Sequence, residues 1–301
     1  MKVPLLSAIA LAAMAAQNLS YASPVQDIAK EVQTQGWFKS CNQVLPKLAA
    51  IAEPSQKSPE WKTYITLKAG CLSELRRDAE AIAYINKKVP AAKRDSDINE
   101  YLGTSYIRLG SYDKATETLE ASLAGADKSR LAEIYSKLAL TYTQQATQLN
   151  ATEQTMALSK AEAAARNAIK LGKTGAPQFY AQLGQIQTFK GDFIAAERSL
   201  NKALTANESF QWEKPELRPI MEVEILMAKS HVRRYQGDEA GADSLAEEAI
   251  QKSPTESLKI AMQQIHKAAR PDSALRQKSQ EASTDETSVL NQVYIPLDEE
   301  I

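Results

Sequence analysis

Apolar residues recur at helical spacing along most of this chain. Val25, Ile28, Ala29 and Val32 fall on one face of a 3.6-residue helix, as do Leu258, Ala261, Met262, Ile265 and Ala268 near the other end. Between these two, apolar runs come in pairs separated by short breaks. Trp61, Tyr64, Ile65, Leu67 and Leu72 mark one helix, and Ala81, Ile82 and Ile85 mark its partner. Alanine-rich amphipathic segments with few β-branched runs predict an all-α chain. Starts are marked too. Ser23 precedes Pro24 and Gln26 in capping-box spacing, Ser58-Pro59 opens a helix, Asn150 stands three residues before Glu153, and Ser253-Pro254-Thr255-Glu256 opens the last helix. The stretch 205–219, with two prolines and a Trp, breaks periodicity and reads as a loop.

The pairs repeat. Leu102-Gly103-Thr104-Ser105-Tyr106 is followed by Gly110-Ser111-Tyr112, Ala115 and Leu119, and the second-helix phrase recurs from Gly191 to Leu200 and from Gly36 to Leu45. Aligning the small residue of each second helix gives Cys41, Ala81, Ala115, Ala161, Ala196 and Ala242, at intervals of 40, 34, 46, 35 and 46. This resembles the tetratricopeptide repeat (TPR), whose period is 34 residues. The resemblance implies a right-handed α-solenoid of about six hairpins over residues 23–269, closed by a C-terminal capping helix. The fourth hairpin carries ten extra residues between Tyr142 and Ala161, which must lengthen its helices. Gln187, Ser230 and Arg233 stand where the motif has Tyr, Gly and Tyr. After Pro271 the composition turns polar, and 270–301 reads as a disordered tail whose end, Val293–Ile301, carries an apolar cluster.

In TPR solenoids the first helices of successive hairpins line a concave groove. Carried onto this register, the groove takes Ile107 and Arg108, then Leu140, Thr143 and Gln144, then Gln185 and Phe189, then His231, Arg234 and Tyr235. Glutamine and threonine could bond a peptide backbone, Phe189 and Tyr235 could pack apolar side chains, and Arg108 and Arg234 could meet carboxylates. The alternative is that Ile107, Leu140 and Phe189 belong to the core and the arginines to solvent. Asparagines that clamp a chaperone tail's carboxylate in some TPR modules are replaced by Thr104, Leu140, Gln185 and His231, so that ligand is not expected.

The two ends and the charge change the picture in one respect. Lys2, the apolar run Leu5–Ala16 and Ser20-Tyr21-Ala22 read as an export signal, 1–22, cleaved before Ser23. Its loss takes the formal charge from −1 to −2, with both signs interspersed. No basic stripe suits nucleic acid, and no membrane anchor is expected. Cys41 and Cys71 are the two cysteines, which suits one disulfide in an exported chain; two separate buried thiols are the alternative. His231 and His266 are the two histidines, in different helices. No His-Glu-x-x-His, phosphate loop, Cys/His metal spacing or nucleophile elbow is present. The expectation is a non-enzymatic, cofactor-free and metal-free adaptor or scaffold that binds a protein or peptide in the bacterial periplasm. A regulatory subunit or cryptic enzyme of envelope polymer metabolism, and a self-associating spacer, are the alternatives.

Overall fold

The computed structural model describes residues 23–172, 175–212 and 214–269; residues 1–22, expected to be an export signal, and the tail 270–301 lie outside these residues. Among the described residues there are thirteen α-helices, one short 3₁₀ turn and no strand. They fall into two compact units divided between Leu109 and Gly110, inside what the sequence reads as the third hairpin.

The first unit holds α1 (Pro24–Gln35), α2 (Trp37–Ala50), α3 (Trp61–Glu74), α4 (Asp78–Lys88) and α5 (Ser96–Arg108). Ser23 Oγ accepts the Gln26 N–H and Asp95 Oδ1 accepts that of Ile98, so two helix starts carry the side-chain caps that stabilise them by about 1 kcal/mol each. The start of α3 differs from expectation. Ser58 Oγ accepts from the Glu60 N–H within a turn, and the helix begins at Trp61. Leu48, Tyr64, Ile65, Ile85 and Leu102 fill the core, where the Tyr64 hydroxyl donates to the Leu48 carbonyl at 3.0 Å. Cys41 of α2 and Cys71 of α3 are fully buried and joined as a disulfide, with Cα atoms 4.9 Å apart.

The second unit holds α6 (Tyr112–Leu123), α7 (Lys128–Ala146), α8 (Ala151–Leu171), α9 (Pro177–Phe189), α10 (Phe193–Ser209), α11 (Leu217–Tyr235), α12 (Glu239–Lys252) and α13 (Glu256–Ala268). The ten extra residues of the fourth hairpin lengthen α7 and α8 to 19 and 21 residues. Asn150 caps α8, accepting the Glu153 N–H and donating back to its carboxylate. The expected loop 205–219 is shorter in the structure, because α10 runs to Ser209 and α11 starts at Leu217. Pro219 lies in the first turn of α11, where its missing N–H would have had no helical partner. Asn207 fixes the crossing, accepting from Trp212 Nε1 and donating to the Arg218 carbonyl, both at 2.9 Å.

The recurring Gly-Asp phrase has a local cause. After α9 and α11, Gly191 and Gly237 adopt φ of 76° and 82°, a left-handed conformation that closes a helix end without Cβ strain. Asp192 N–H then bonds the Gln187 carbonyl, and Asp238 N–H that of Arg233, after which each Asp side chain caps the next helix. One dipeptide thus stops a helix and starts its partner. Within the hairpin, a Cβ on Gly184 would lie 2.6 Å from Leu200 Cγ and 3.2 Å from the Ala196 carbonyl, so α9 and α10 approach at a distance only glycine permits. Within this unit each helix packs on the next, and α9 also packs on α7 and on α11. These three first helices form a row.

Candidate binding groove

Along that row the repeat register brings together side chains distant in sequence. Leu140, Thr143 and Gln144 of α7, Gln182, Gln185, Ile186, Thr188 and Phe189 of α9, and Ala228, His231 and Tyr235 of α11 line one depression. It narrows to about 40 Å³. A water needs about 10–15 Å³ and drug-sized pockets run to several hundred, so this space suits the tip of one side chain rather than a whole small ligand.

The polar groups of the wall divide by whether the fold uses them. Thr143 and Thr188 donate their hydroxyls to the Ala139 and Gly184 carbonyls of their own helices, at 2.7 and 2.9 Å. Their hydrogens are thereby engaged, which leaves only the oxygens, as acceptors, for a peptide backbone. Gln182 is also used: it donates to the Ser136 carbonyl and accepts from the Ser136 hydroxyl, both at 2.9 Å, tying α9 to α7. Gln144 and Gln185 are half-buried, and their amides make no hydrogen bond with any described residue. His231 is 6 % exposed, and its Nε2 is buried without a partner. Burial, then the charges of Arg234 and His266, push its pKa down to about 4, so the ring is neutral at pH 7.

Apolar contacts complete the wall. Phe189 is half-buried and packs on Ala146, Ala157 and Leu158, so it serves the core and the groove at once. Tyr235 is 43 % exposed and stacks on Phe193 of α10 at 6.2 Å between ring centroids.

Two residues expected in the groove do other work. Arg234 turns towards α12, bonding Glu239 at 3.0 Å and Asp243 at 3.1 Å, and its side chain is only 13 % exposed. Arg108 belongs to the first unit, as does Ile107, and donates to the Ser73 carbonyl and to Asp78. Both guanidinium groups have acceptors inside the protein, which removes the reason for assigning them to a ligand carboxylate. Gln182, Ile186, Thr188 and Ala228 line the depression although the sequence reading did not single them out; each lies beside a chosen residue at i+3 or i+4 on a groove helix or one position from it, a neighbourhood that a single-face projection passes over.

The motif departures are also accounted for. Buried Gln187 accepts from Ser199 Oγ at 2.7 Å, Ser230 Oγ donates to the Ala242 carbonyl at 2.7 Å, and Arg233 pairs with Glu197 at 3.1 Å. A polar link to the neighbouring helix replaces the apolar or close-packed contact at each. Among the described residues no group of His, Cys, Asp and Glu could hold a metal ion, and no helix is long and apolar enough to cross a membrane.

Comparison with known proteins agrees with this geometry. The tetratricopeptide-repeat model matches residues 177–210, the hairpin of α9 and α10. No curated protein matches the chain in sequence. Among solved structures it is similar to a thermophilic TPR protein of Thermus thermophilus, at TM-score 0.53 and 17 % identity over 68 % of this chain and 96 % of that one. It is also similar to a MamA RS-1 double mutant (0.49, 20 %, 63 % and 96 %) and to YrrB, a TPR protein with an unusual peptide-binding site (0.45, 13 %, 67 % and 91 %). With a matched tetratricopeptide repeat at residues 177–210 and helices paired along the rest of the described residues, the chain has an all-α TPR-like fold.

Proposed function

We propose that the chain is a protein-binding adaptor or scaffold, and that the groove over α7, α9 and α11 receives a segment of its partner. The observation that carries this is the company kept on one face: Leu140, Ile186 and Phe189 around a small cavity, beside the amides of Gln144 and Gln185 that the fold leaves unbonded. A bound segment would set one apolar side chain in the cavity and its backbone polar groups against those amides, a helix or extended strand laid in a groove. The TPR fold supports binding of a protein or peptide in general; the same scaffold serves unrelated partners, so the site has to name the ligand.

The setting we propose is the bacterial periplasm. Residues 1–22 read as a cleavable export signal, and the buried Cys41–Cys71 pair suits an oxidising compartment.

The test is the double variant Gln144→Ala, Gln185→Ala. Neither amide has an internal bond to lose, so the unfolding free energy should change by less than about 0.5 kcal/mol. Co-purification of a partner from the envelope fraction of the native host should be lost. A partner retained at the wild-type level would exclude this groove as its seat.

A further inference from the structure

The repeat register continues past the cavity. The cavity joins Gln182, Gln185 and Phe189 of α9 to Ala228, His231 and Tyr235 of α11, three pairs each 46 positions apart. One turn nearer the helix starts, the same interval pairs Gln178 with Glu224, on the same faces of two helices that pack on each other. Both carry an oxygen that is buried and unpartnered: Gln178 Oε1 and Glu224 Oε1 make no hydrogen bond with any described residue. Glu224 forms no ion pair among them either, although the side chain keeps partial exposure.

An unmet buried acceptor costs about 1–3 kcal/mol, more when charged. Some buried polar groups of this chain are answered from within, as Gln182 is by Ser136, while Thr104 Oγ1, Thr116 Oγ1, His231 Nε2 and Arg234 Nε are also buried without a partner; Gln178 and Glu224 differ from these in being carbonyl-type acceptors matched in register on adjacent helices. Two unanswered acceptors in the same register of neighbouring helices ask for a donor from outside. One carries a carboxyl group whose proton burial retains in the free chain; a cation placed beside it would release that proton to solvent and answer both acceptors.

We infer that this end of the groove receives a basic side chain, lysine or arginine, of the partner segment, with Glu224 as counter-charge and Gln178 as second acceptor. This rests on the groove being the partner's seat. It adds a spacing rule. Seven residues of helix separate Glu224 from His231, about 10 Å at 1.5 Å per residue. An extended partner covers that distance in about three residues and a helical one in about seven. The basic residue therefore stands three or seven positions from the apolar side chain that enters the cavity.

A synthetic peptide library tests this on the full-length protein. Leucine is fixed at one position, and Lys, Arg, Gln or Glu is placed at every offset on either side within an Ala/Ser background; binding is read by fluorescence anisotropy. The expected result is leucine-dependent binding, at least tenfold tighter with Lys or Arg at offset three or seven than with Glu there. Glu224→Gln, an isosteric change, should abolish the basic preference and keep the dependence on leucine. Leucine-dependent binding without a basic preference at either offset in the wild type would overturn the inference and leave the groove standing. A preference that survives Glu224→Gln would overturn it as well. Absence of leucine-dependent binding in the wild type would count against the groove itself.

Discussion

Glu224 and His231, two turns apart on α11, titrate in opposite senses. Burial pushes the Glu224 carboxyl up to about 8, so the folded chain keeps a proton that the unfolded chain has released above about pH 4.5. Stability therefore falls as pH rises from about 4.5 to 8. His231, held down to about 4, refuses in the folded state a proton that the unfolded chain binds below about pH 6.5, so its contribution rises with pH from about 4 to 6.5. The two oppose each other below about pH 6.5, which leaves the interval from about 6.5 to 8 to Glu224. Urea melts at pH 6.5 and 8.5 should show the wild type losing roughly 1–2 kcal/mol and Glu224→Gln losing far less. Equal losses in both proteins would mean that this carboxyl is not kept neutral by the fold. Little of this is legible in the sequence, because burial of one carboxylate depends on its neighbours across helices. The repeat register did place Gln144, Gln185, Phe189, His231 and Tyr235 on one surface. It misplaced Arg108 and Arg234 for a physical reason: the register fixes where a Cα sits, whereas a long guanidinium side chain reaches the nearest carboxylate.

At the scale of the helices, close approach and helix ends do most of the organising. Gly184→Ala should destabilise the protein by about 1–3 kcal/mol, because the new methyl falls on Leu200 and the Ala196 carbonyl and α9 must move away from α10. A melting temperature within a degree of the wild type would show that this hairpin can separate at little cost. Helix pairing, the long fourth hairpin and the cap at Asn150 are legible from spacing alone. The stretch 205–219 is not: its prolines read as breakers, yet Pro219 occupies a first-turn position where proline is accepted. Likewise Ser58-Pro59 makes a turn rather than a helix start, because a capping pattern states what a helix end tolerates and not where the chain begins to wind.

For the whole molecule, the Cys41–Cys71 bond lies in the first unit and the groove in the second. Closing that 30-residue interval stabilises the first unit by about 3–4 kcal/mol in the chain-entropy account. Reduction should lower hydrogen-exchange protection in α2 and α3 and leave α9 and α11 unchanged; uniform loss across the chain would show the units to be one cooperative body. Six paired repeats and a closing helix are legible in the sequence, while the division at Leu109 is not, since a repeat register treats every junction alike. The most direct test of the groove as a binding surface is site-specific photocrosslinking in the native host, with a benzophenone amino acid at Gln185 in one protein and at Ile194, 73 % exposed on α10, in another. The account predicts a discrete partner adduct from position 185 that is lost with Gln144→Ala, and none from position 194. Adducts of the same protein from both positions, or from 194 alone, would contradict it.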